Sequence, residues 1–503
     1  MNFKPEKYHL GDTWHLSDGE NVHAFYMQNV EFDNTEIPES GSLGHAVSSD
    51  MIHWQELKPA ILRGGDGSYD QMDLWTGCAF IHDGKWYLYY TARPKNSHLA
   101  NSICLATSDD GINFTKHPDN PIIEPDPRFY CDKNSITPLA VHSNEEASLV
   151  DCRDLLVVRD DERDIWWGFF AVRRPADECT QTSVIGLAKS KDLIHWEQLE
   201  PCYCPDKYGC IETPDVFEMN GKWYMLCLSG NEYGQRNRTG DPNLTGRITV
   251  WAVADKVKGP YRECADNVIL GASDFDGICA KTVVHKGRRY MFYTQALTLS
   301  DGGIEGSMAI PKEIVADNDG RLHAMWFDGV EAMYANAPQK FSQQLAIKNN
   351  GLWGSIAEWN FEGESVTVHP KHDWCVQMFD IKAQNYVLKT TLKPENCVAA
   401  GFIFDVDGDT IYSSNKIAMV DFSEKEVWLT RARNFKKDAA RRINLPDGEF
   451  ELKVLCFGTT VEVYVNNELF VHHQYERKGG KVGLFADMGK VTFKDTIIEY
   501  IEN

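Results

Sequence analysis

Short apolar runs, broken by turn signals and almost free of helical periodicity, follow one another along the whole chain. Five of them share an aromatic signature: HAFYMQ at 23–28, KWYLYYTA at 85–92, IWWGFFAV at 165–172, KWYMLCLS at 222–229 and RYMFYTQA at 289–296. Aromatic residues pack well across a pleated surface, and the turns HDGKW (82–86) and MNGKW (219–223) carry the Asp-Gly and Asn-Gly chemistry of tight hairpins. A second signature follows the first, a small residue, then Ser-x-Asp, then an aromatic. It reads GHAVSSDMIHW (44–54), LATSDDGINF (105–114) and LAKSKDLIHW (187–196), with a looser WAVADKVKGPY (251–261) and a poor fifth match, GSMAIPKEI (306–314). Five copies between about residue 10 and residue 330 give roughly 60–70 residues each, room for the four strands of a propeller blade.

From about residue 340 the repeat stops and period-two strands take over, among them NYVLKTTLKP, VAAGFIFDV and TVEVYVNNELFVHH, joined by NN, DG and GG turns. That pattern predicts a two-sheet sandwich. The expected fold is all-β, a five-bladed β-propeller followed by a C-terminal β-sandwich. Residues 1–330 form the propeller, 331–345 the connector and 346–503 the sandwich. A chain of 503 residues is long enough to require at least two cores.

Acidic residues recur at one place in the repeat. Counting back 13 residues from Phe25 reaches Asp12, 15 from Phe169 reaches Asp154, and 14 from Leu226 reaches Glu212. Equivalent residues on innermost strands converge on the propeller axis. A lone acid there would be read as a turn or cap, but three carboxylates brought together repel one another and lose hydration. Carboxylate chemistry accounts for tolerating them. Cleavage of a glycosidic bond uses two such groups, one protonated and one ionised, and crowding raises the affinity of one of them for its proton. Glu212 is the best candidate acid, and Arg153 is a natural partner for keeping Asp154 ionised.

Charge and cysteine content narrow the picture further. With 51 basic and 74 acidic residues the net charge is −23, which disfavours nucleic acid and anionic membranes. No apolar run reaches the roughly 20 residues needed to span a bilayer, and MNFKPEKYHLGD has no apolar leader core. The 14 cysteines are scattered, several within strand-like runs, and read as reduced buried thiols, so a cytoplasmic location is expected. Cys202, Cys204 and Cys210 fit no standard zinc spacing, so no metal and no cofactor is expected. The expected partner is an oligosaccharide or small glycoside; self-association into a homo-oligomer is compatible with the sequence.

The order of an Asp near the N-terminus, then Arg-Asp, then Glu followed by x-Pro-Asp-x-Phe resembles glycoside hydrolase family 32, which contains invertases, levanases, inulinases and other β-fructofuranosidases. GHAVSSDMIHW is similar to that family's Gly-His-Ala-x-Ser-x-Asp-x-x-x-Trp element, LWTGCAF to its aromatic–Ser–Gly element, and VEVYVNNELFV to its last sandwich motif. The resemblance implies a five-bladed propeller plus sandwich and a retaining exo-β-fructofuranosidase. In that reading Asp12 is the nucleophile, Asp154 the transition-state stabiliser and Glu212 the general acid/base.

Three positions depart from the family pattern. Gly11-Asp12-Thr13 stands for Asn-Asp-Pro, Leu155 for the Pro after Arg-Asp, and Thr213 for the Cys after the acid/base. Sister propeller families act on arabinofuranosides, xylosides or galactofuranosides, so an arabinofuranosidase or galactofuranosidase stays an alternative, as does a non-catalytic carbohydrate-binding propeller. Trp75, 14 residues before Tyr89, is placed to stack on a sugar, with Asp73 on the same face. Arg153, Gln28, Trp14 and Asp276 complete the candidate substrate contacts.

Overall fold

The computed structural model describes residues 2–29, 40–94, 101–132, 151–175, 181–205, 207–208, 210–230, 248–271, 277–298, 304–348, 354–410 and 412–502. Two compact units divide them: the first runs to Leu322 apart from Leu270 and Gly271, which group with the second, and the second continues from His323 onward. Asp276 lies outside the described residues.

The first unit is a five-bladed propeller. Blade I consists of β1 (His9–Ser17), β2 (Val22–Asn29), β3 (Leu43–Ser48) and β4 (Gln55–Glu56), and blade II of β5 (Asp73–His82), β6 (Lys85–Arg93), β7 (Ser102–Ser108) and β8 (Thr115–Lys116). Blade III has β9 (Cys152–Asp160), β10 (Ile165–Pro175), β11 (Gln181–Ser190) and β12 (Glu197–Tyr203). Blade IV follows with β13 (Cys210–Met219), β14 (Lys222–Gly230), β15 (Ile248–Ala254) and β16 (Arg262–Leu270). Blade V contains β17 (Ile278–His285), β18 (Arg288–Thr298), β19 (Ile304–Met308) and β20 (Lys312–Ala316), with β18 pairing both β19 and β20. The four strands of blades I to IV pair in chain order as antiparallel sheets. The first strands contact one another in the order β1, β5, β9, β13, β17 and back to β1, which closes the ring.

Each repeated signature has a structural task. The aromatic strands are the second strands of their blades, and Phe25, Tyr89, Phe169, Tyr224 and Phe292 are buried between sheets. The tight turns take left-handed backbone at both central residues: Asp83-Gly84, Asn220-Gly221 and Lys286-Gly287 all have φ between 50° and 79°. That twist matches the flanking strands. The Ser-x-Asp elements cap the turn from third to fourth strand. Ser48 Oγ accepts the Met51 N–H (2.8 Å), while Asp50 Oδ1 accepts those of Ile52 and His53 (both 2.8 Å). Ser108 with Asp110 and Ser190 with Asp192 repeat the arrangement. Recurrence of that motif therefore reports blade construction and not chemistry.

The second unit holds two antiparallel sheets. One orders Glu468–Gln474, Thr460–Val465, Phe450–Phe457, Tyr386–Glu395, Lys490–Tyr500, Ser365–Val368 and Trp359–Glu362; the other orders Cys375–Ala383, Gly480–Asp487, Ala399–Asp407, Ser414–Asp421, Glu426–Thr430 and Ala439–Arg442. Phe379, Phe402, Leu452, Val463, Leu484 and Phe493 interleave in the core between them. One polar group is locked inside this unit. Asp405 accepts both arms of Arg477 (2.8 and 2.9 Å) together with the hydroxyls of Tyr475 (2.5 Å) and Tyr386 (3.3 Å).

Candidate active site

Every innermost strand of the ring carries a β-bulge at the same height. In each, two residues oppose one: Gly11-Asp12 in β1, Thr76-Gly77 in β5, Asp154-Leu155 in β9, Thr213-Pro214 in β13 and Cys279-Ala280 in β17. A bulge bends the strand and re-aims the side chains around it. Asp154, Thr213 and Cys279, the first residues of their bulges, take φ of 62°, 51° and 55°. Non-glycine residues in this region are strained, and such strain collects at functional sites.

The bulges also explain the unequal spacing of the acids. Asp12 is the second residue of its bulge, Asp154 the first, and Glu212 the last paired residue before one. The three acids thus sit one residue out of step from blade to blade; the counts of 13, 15 and 14 do not follow that order because the blade IV hairpin is two residues shorter than those of blades I and III.

Arg153 ties the acids together. Its Nη2 donates to Glu212 Oε2 (2.7 Å) and to Cys210 Sγ (3.3 Å), its Nε lies 3.5 Å from Asp154 Oδ2, and its Nη1 donates to Asp151 Oδ1. Asp154 is anchored from both sides. Its N–H donates to Thr91 Oγ1 (2.9 Å), and its Oδ2 accepts the Thr213 N–H (3.0 Å). The Thr91 hydroxyl donates to the Thr76 carbonyl (2.8 Å), and the Thr76 hydroxyl donates to Asp12 Oδ2. Blade V holds β1 through the Thr294 hydroxyl, which donates to the Gly11 carbonyl (2.7 Å). Lys281 Nζ donates to the Pro214 carbonyl (2.6 Å) and so fixes the bulge that carries Glu212.

The electrostatics follow from this crowding. Burial pushes Asp154 up to about 7; Arg153 and Lys281 pull against the shift, and the charges of Glu212 and Asp12 reinforce it. The expectation that Arg153 keeps Asp154 ionised is thus reversed near neutrality, because burial and the two neighbouring acids outweigh the guanidinium. The Cys279 thiol lies against Asp12, and burial together with the charges of Asp12 and Glu212 pushes it far up. It is held as a neutral thiol.

The remaining sequence-predicted contacts separate into two groups. Trp75 is half-buried, with the Arg93 guanidinium 4.1 Å from its ring centre, and Arg93 is paired with Asp73 (2.9 Å). Burial raises Asp73 against the pull of Arg93, and its Oδ1 is buried without a hydrogen-bond partner. Gln28 ends the first aromatic strand with its Nε2 likewise buried and unpartnered. Such atoms are costly unless a further group satisfies them. Trp14 is placed elsewhere: it is buried in the core shared by blades I and II, stacked on Phe25. Thr76, Thr91, Asp151, Arg173, Cys279 and Lys281 were not singled out from the sequence. Only Thr76 and Cys279 carried a signal, their place in the blade repeat.

A closed ring of five blades whose innermost strands bring Asp12, Asp154 and Glu212 into one electrostatic group, with Arg153 bridging Asp154 and Glu212, defines an acidic β-propeller, followed in the chain by a β-sandwich. The sequence model described as Glycosyl hydrolases family 32 N-terminal domain matches residues 2–383. The chain belongs to glycosyl hydrolase family 32. Its curated relatives include a sucrose:sucrose 1-fructosyltransferase from Festuca arundinacea, 29% identical over 44% of this chain and 31% of that protein. A sucrose-6-phosphate hydrolase from Escherichia coli is 28% identical over 43% of this chain and 41% of that protein. These alignments therefore span less than half the length of either relative. Among solved structures, exo-inulinase from Aspergillus awamori superposes with a TM-score of 0.69 at 16% identity, covering 100% of this chain and 98% of that one. Fructan 1-exohydrolase IIa from Cichorium intybus gives 0.68 at 14% identity, covering 100% and 97%. They share the whole fold.

Proposed function

We propose that this chain is a retaining exo-β-fructofuranosidase acting on fructans or sucrose-like oligosaccharides. One observation carries the reading: Arg153 bridges Glu212 and Asp154 at the ring centre, and Asp12 joins the same electrostatic group. Asp12 is the nucleophile, its carboxylate oriented by the Thr76 hydroxyl. Glu212 protonates the departing oxygen and then activates water. Asp154 holds sugar hydroxyls as positive charge develops on the ring.

The names of the relatives support a fructosyl substrate, since a variant of the chicory exohydrolase was solved in complex with 1-kestose. Gly11, Leu155 and Thr213, where the family motif differs, favour screening arabinofuranosides and galactofuranosides beside fructosides. The described cysteines are all free and most are buried, which supports action in a reducing, cytoplasmic compartment. The test is Glu212→Gln against sucrose, 1-kestose and an aryl furanoside. Loss of about 10²–10⁴-fold is expected on the natural-type sugars, and less on the activated aryl group. Parental rates on sucrose and 1-kestose would refute the assignment, and inversion at the anomeric carbon would refute the retaining mechanism.

A further inference from the structure

Asp151 and Arg173 form a buried ion pair behind the acids. Arg173 Nε donates to Asp151 Oδ2 (2.6 Å), while Asp151 Oδ1 accepts Nη1 of Arg153. Asp151 and Arg173 are each 3% exposed, Asp151 hydrogen-bonds to both Arg173 and Arg153, and neither has a part in the proposed chemistry. Burying two more charges beside an already crowded centre is costly unless the set is balanced. We propose that Asp151 and Arg173 are positioning residues for the acid/base, dividing the charge of Arg153 so that Glu212 does not carry all of it. The inference rests on the glycosidase reading above.

The reasoning begins at Glu212. The Arg153 guanidinium donates to Glu212 at 2.7 Å, so whatever sets the charge on Arg153 bears directly on the carboxyl that must deliver the proton. Asp151 takes the opposite arm of the same guanidinium and draws on its charge. Arg173 in turn partly neutralises Asp151 and limits that effect. Burial alone would raise Asp151, yet Arg153 and Arg173 outweigh it and hold Asp151 ionised below its ordinary value. Arg153 is held cationic by Asp151 and Glu212 against the cost of its burial. Glu212 also faces Arg153 and Asp154 on β9 and Cys279 on β17; around these stand Cys210 on its own strand, which faces Arg153, Asp12 on β1, which faces Asp154 and Cys279, and Lys281 on β17, which faces Asp154. Those residues are common to every variant below, so the two substitutions change only the divided charge.

The two partners act with opposite signs. Asp151→Asn removes one carboxylate shared by Arg153 and Arg173, so more of their charge falls on the acid and the alkaline limb of kcat/KM moves to lower pH. Arg173→Gln frees Asp151 to act more strongly on Arg153, and the limb moves to higher pH. A displacement of about one pH unit is the scale for a unit charge one guanidinium away at a high effective dielectric. The experiment records kcat/KM for 1-kestose from pH 4 to pH 9 in the parent, Asp151→Asn, Arg173→Gln and Asp151→Asn/Arg173→Gln, with melting temperature checked for each. Opposite shifts in the single variants, and recovery toward the parent in the double, support the proposal. Should one single variant not fold, the other still carries its own predicted sign. A folded single variant whose limb stays within 0.2 pH unit (roughly the resolution of such profiles) overturns it, as do shifts in the same direction. A parent inactive on all furanosides would overturn the glycosidase reading and this inference with it. A parent active and Glu212-dependent, with unmoved limbs, would overturn this inference alone.

Discussion

Asp154→Asn is expected to stabilise the protein above neutral pH while destroying its activity. In the folded chain Asp154 titrates at about 7, against 3.8 for a free aspartate. The folded state therefore binds the proton more tightly than the unfolded state. Its stabilising contribution is complete below pH 3.8 and is lost as pH rises through 7. At 1.36 kcal/mol per unit, the ionised group costs the fold about 1.6 kcal/mol at pH 5 and about 4 kcal/mol at pH 8. Asparagine has no charge to bury, and its side-chain oxygen can still accept the Thr213 N–H that Asp154 Oδ2 holds at 3.0 Å. The stability gap between variant and parent should widen by about 2.5 kcal/mol between pH 5 and pH 8. For a propeller unit of about 310 residues, at ~2.1 cal/mol/K per residue, that is about 4 °C in Tm. Scanning calorimetry of both proteins at half-unit pH intervals measures it, reading the propeller transition. A gap that does not change with pH, or an asparagine variant less stable than the parent at pH 8, refutes the reasoning.

Three further outcomes follow from single contacts. Thr76→Val removes the hydroxyl that orients Asp12; kcat should fall about tenfold or more, the value of a hydrogen bond to a charged group, with Tm nearly unchanged and Thr76→Ser restoring the rate. A Cβ at Gly77 would stand 2.0 Å from the Tyr89 carbonyl oxygen, where only backbone could yield, so Gly77→Ala should cost about 2 kcal/mol or more in denaturant unfolding, and an unchanged midpoint would contradict the bulge geometry. Arg477→Met strands Asp405 inside the sandwich with tyrosine partners alone, a loss of about 3–5 kcal/mol, and a cost below about 1 kcal/mol would show that Asp405 takes up a proton or finds water.

The blade count, the strand order and the second all-β unit were legible in the sequence because each rests on local physics. A period of two, a hairpin dipeptide and an aromatic second strand are readable over ten residues, and five copies make the reading redundant. That Asp12, Asp154 and Glu212 come near one another was legible for a related reason: the repeat supplies a ruler, and the three acids stand within one residue of a mark on it. The ruler was good to one residue only. Which member of each bulge turns inward depends on the pairing register of β1, β9 and β13 with their neighbours, and no single strand contains that information.

Residues that act through a neighbour were beyond the sequence. Thr91 and Asp154 are 63 positions apart and meet through one N–H. Asp151, Arg153 and Arg173 form a charge set only because β9 and β10 pair at Arg153–Ala171 and Cys152–Val172. Trp14 shows the converse, since an aromatic two residues from a central acid is also on the face that packs blade I against blade II. Periodicity determines which face of a strand is apolar. Only closure of the ring determines what each face meets, because burial, dielectric and charge at the centre belong to five strands at once.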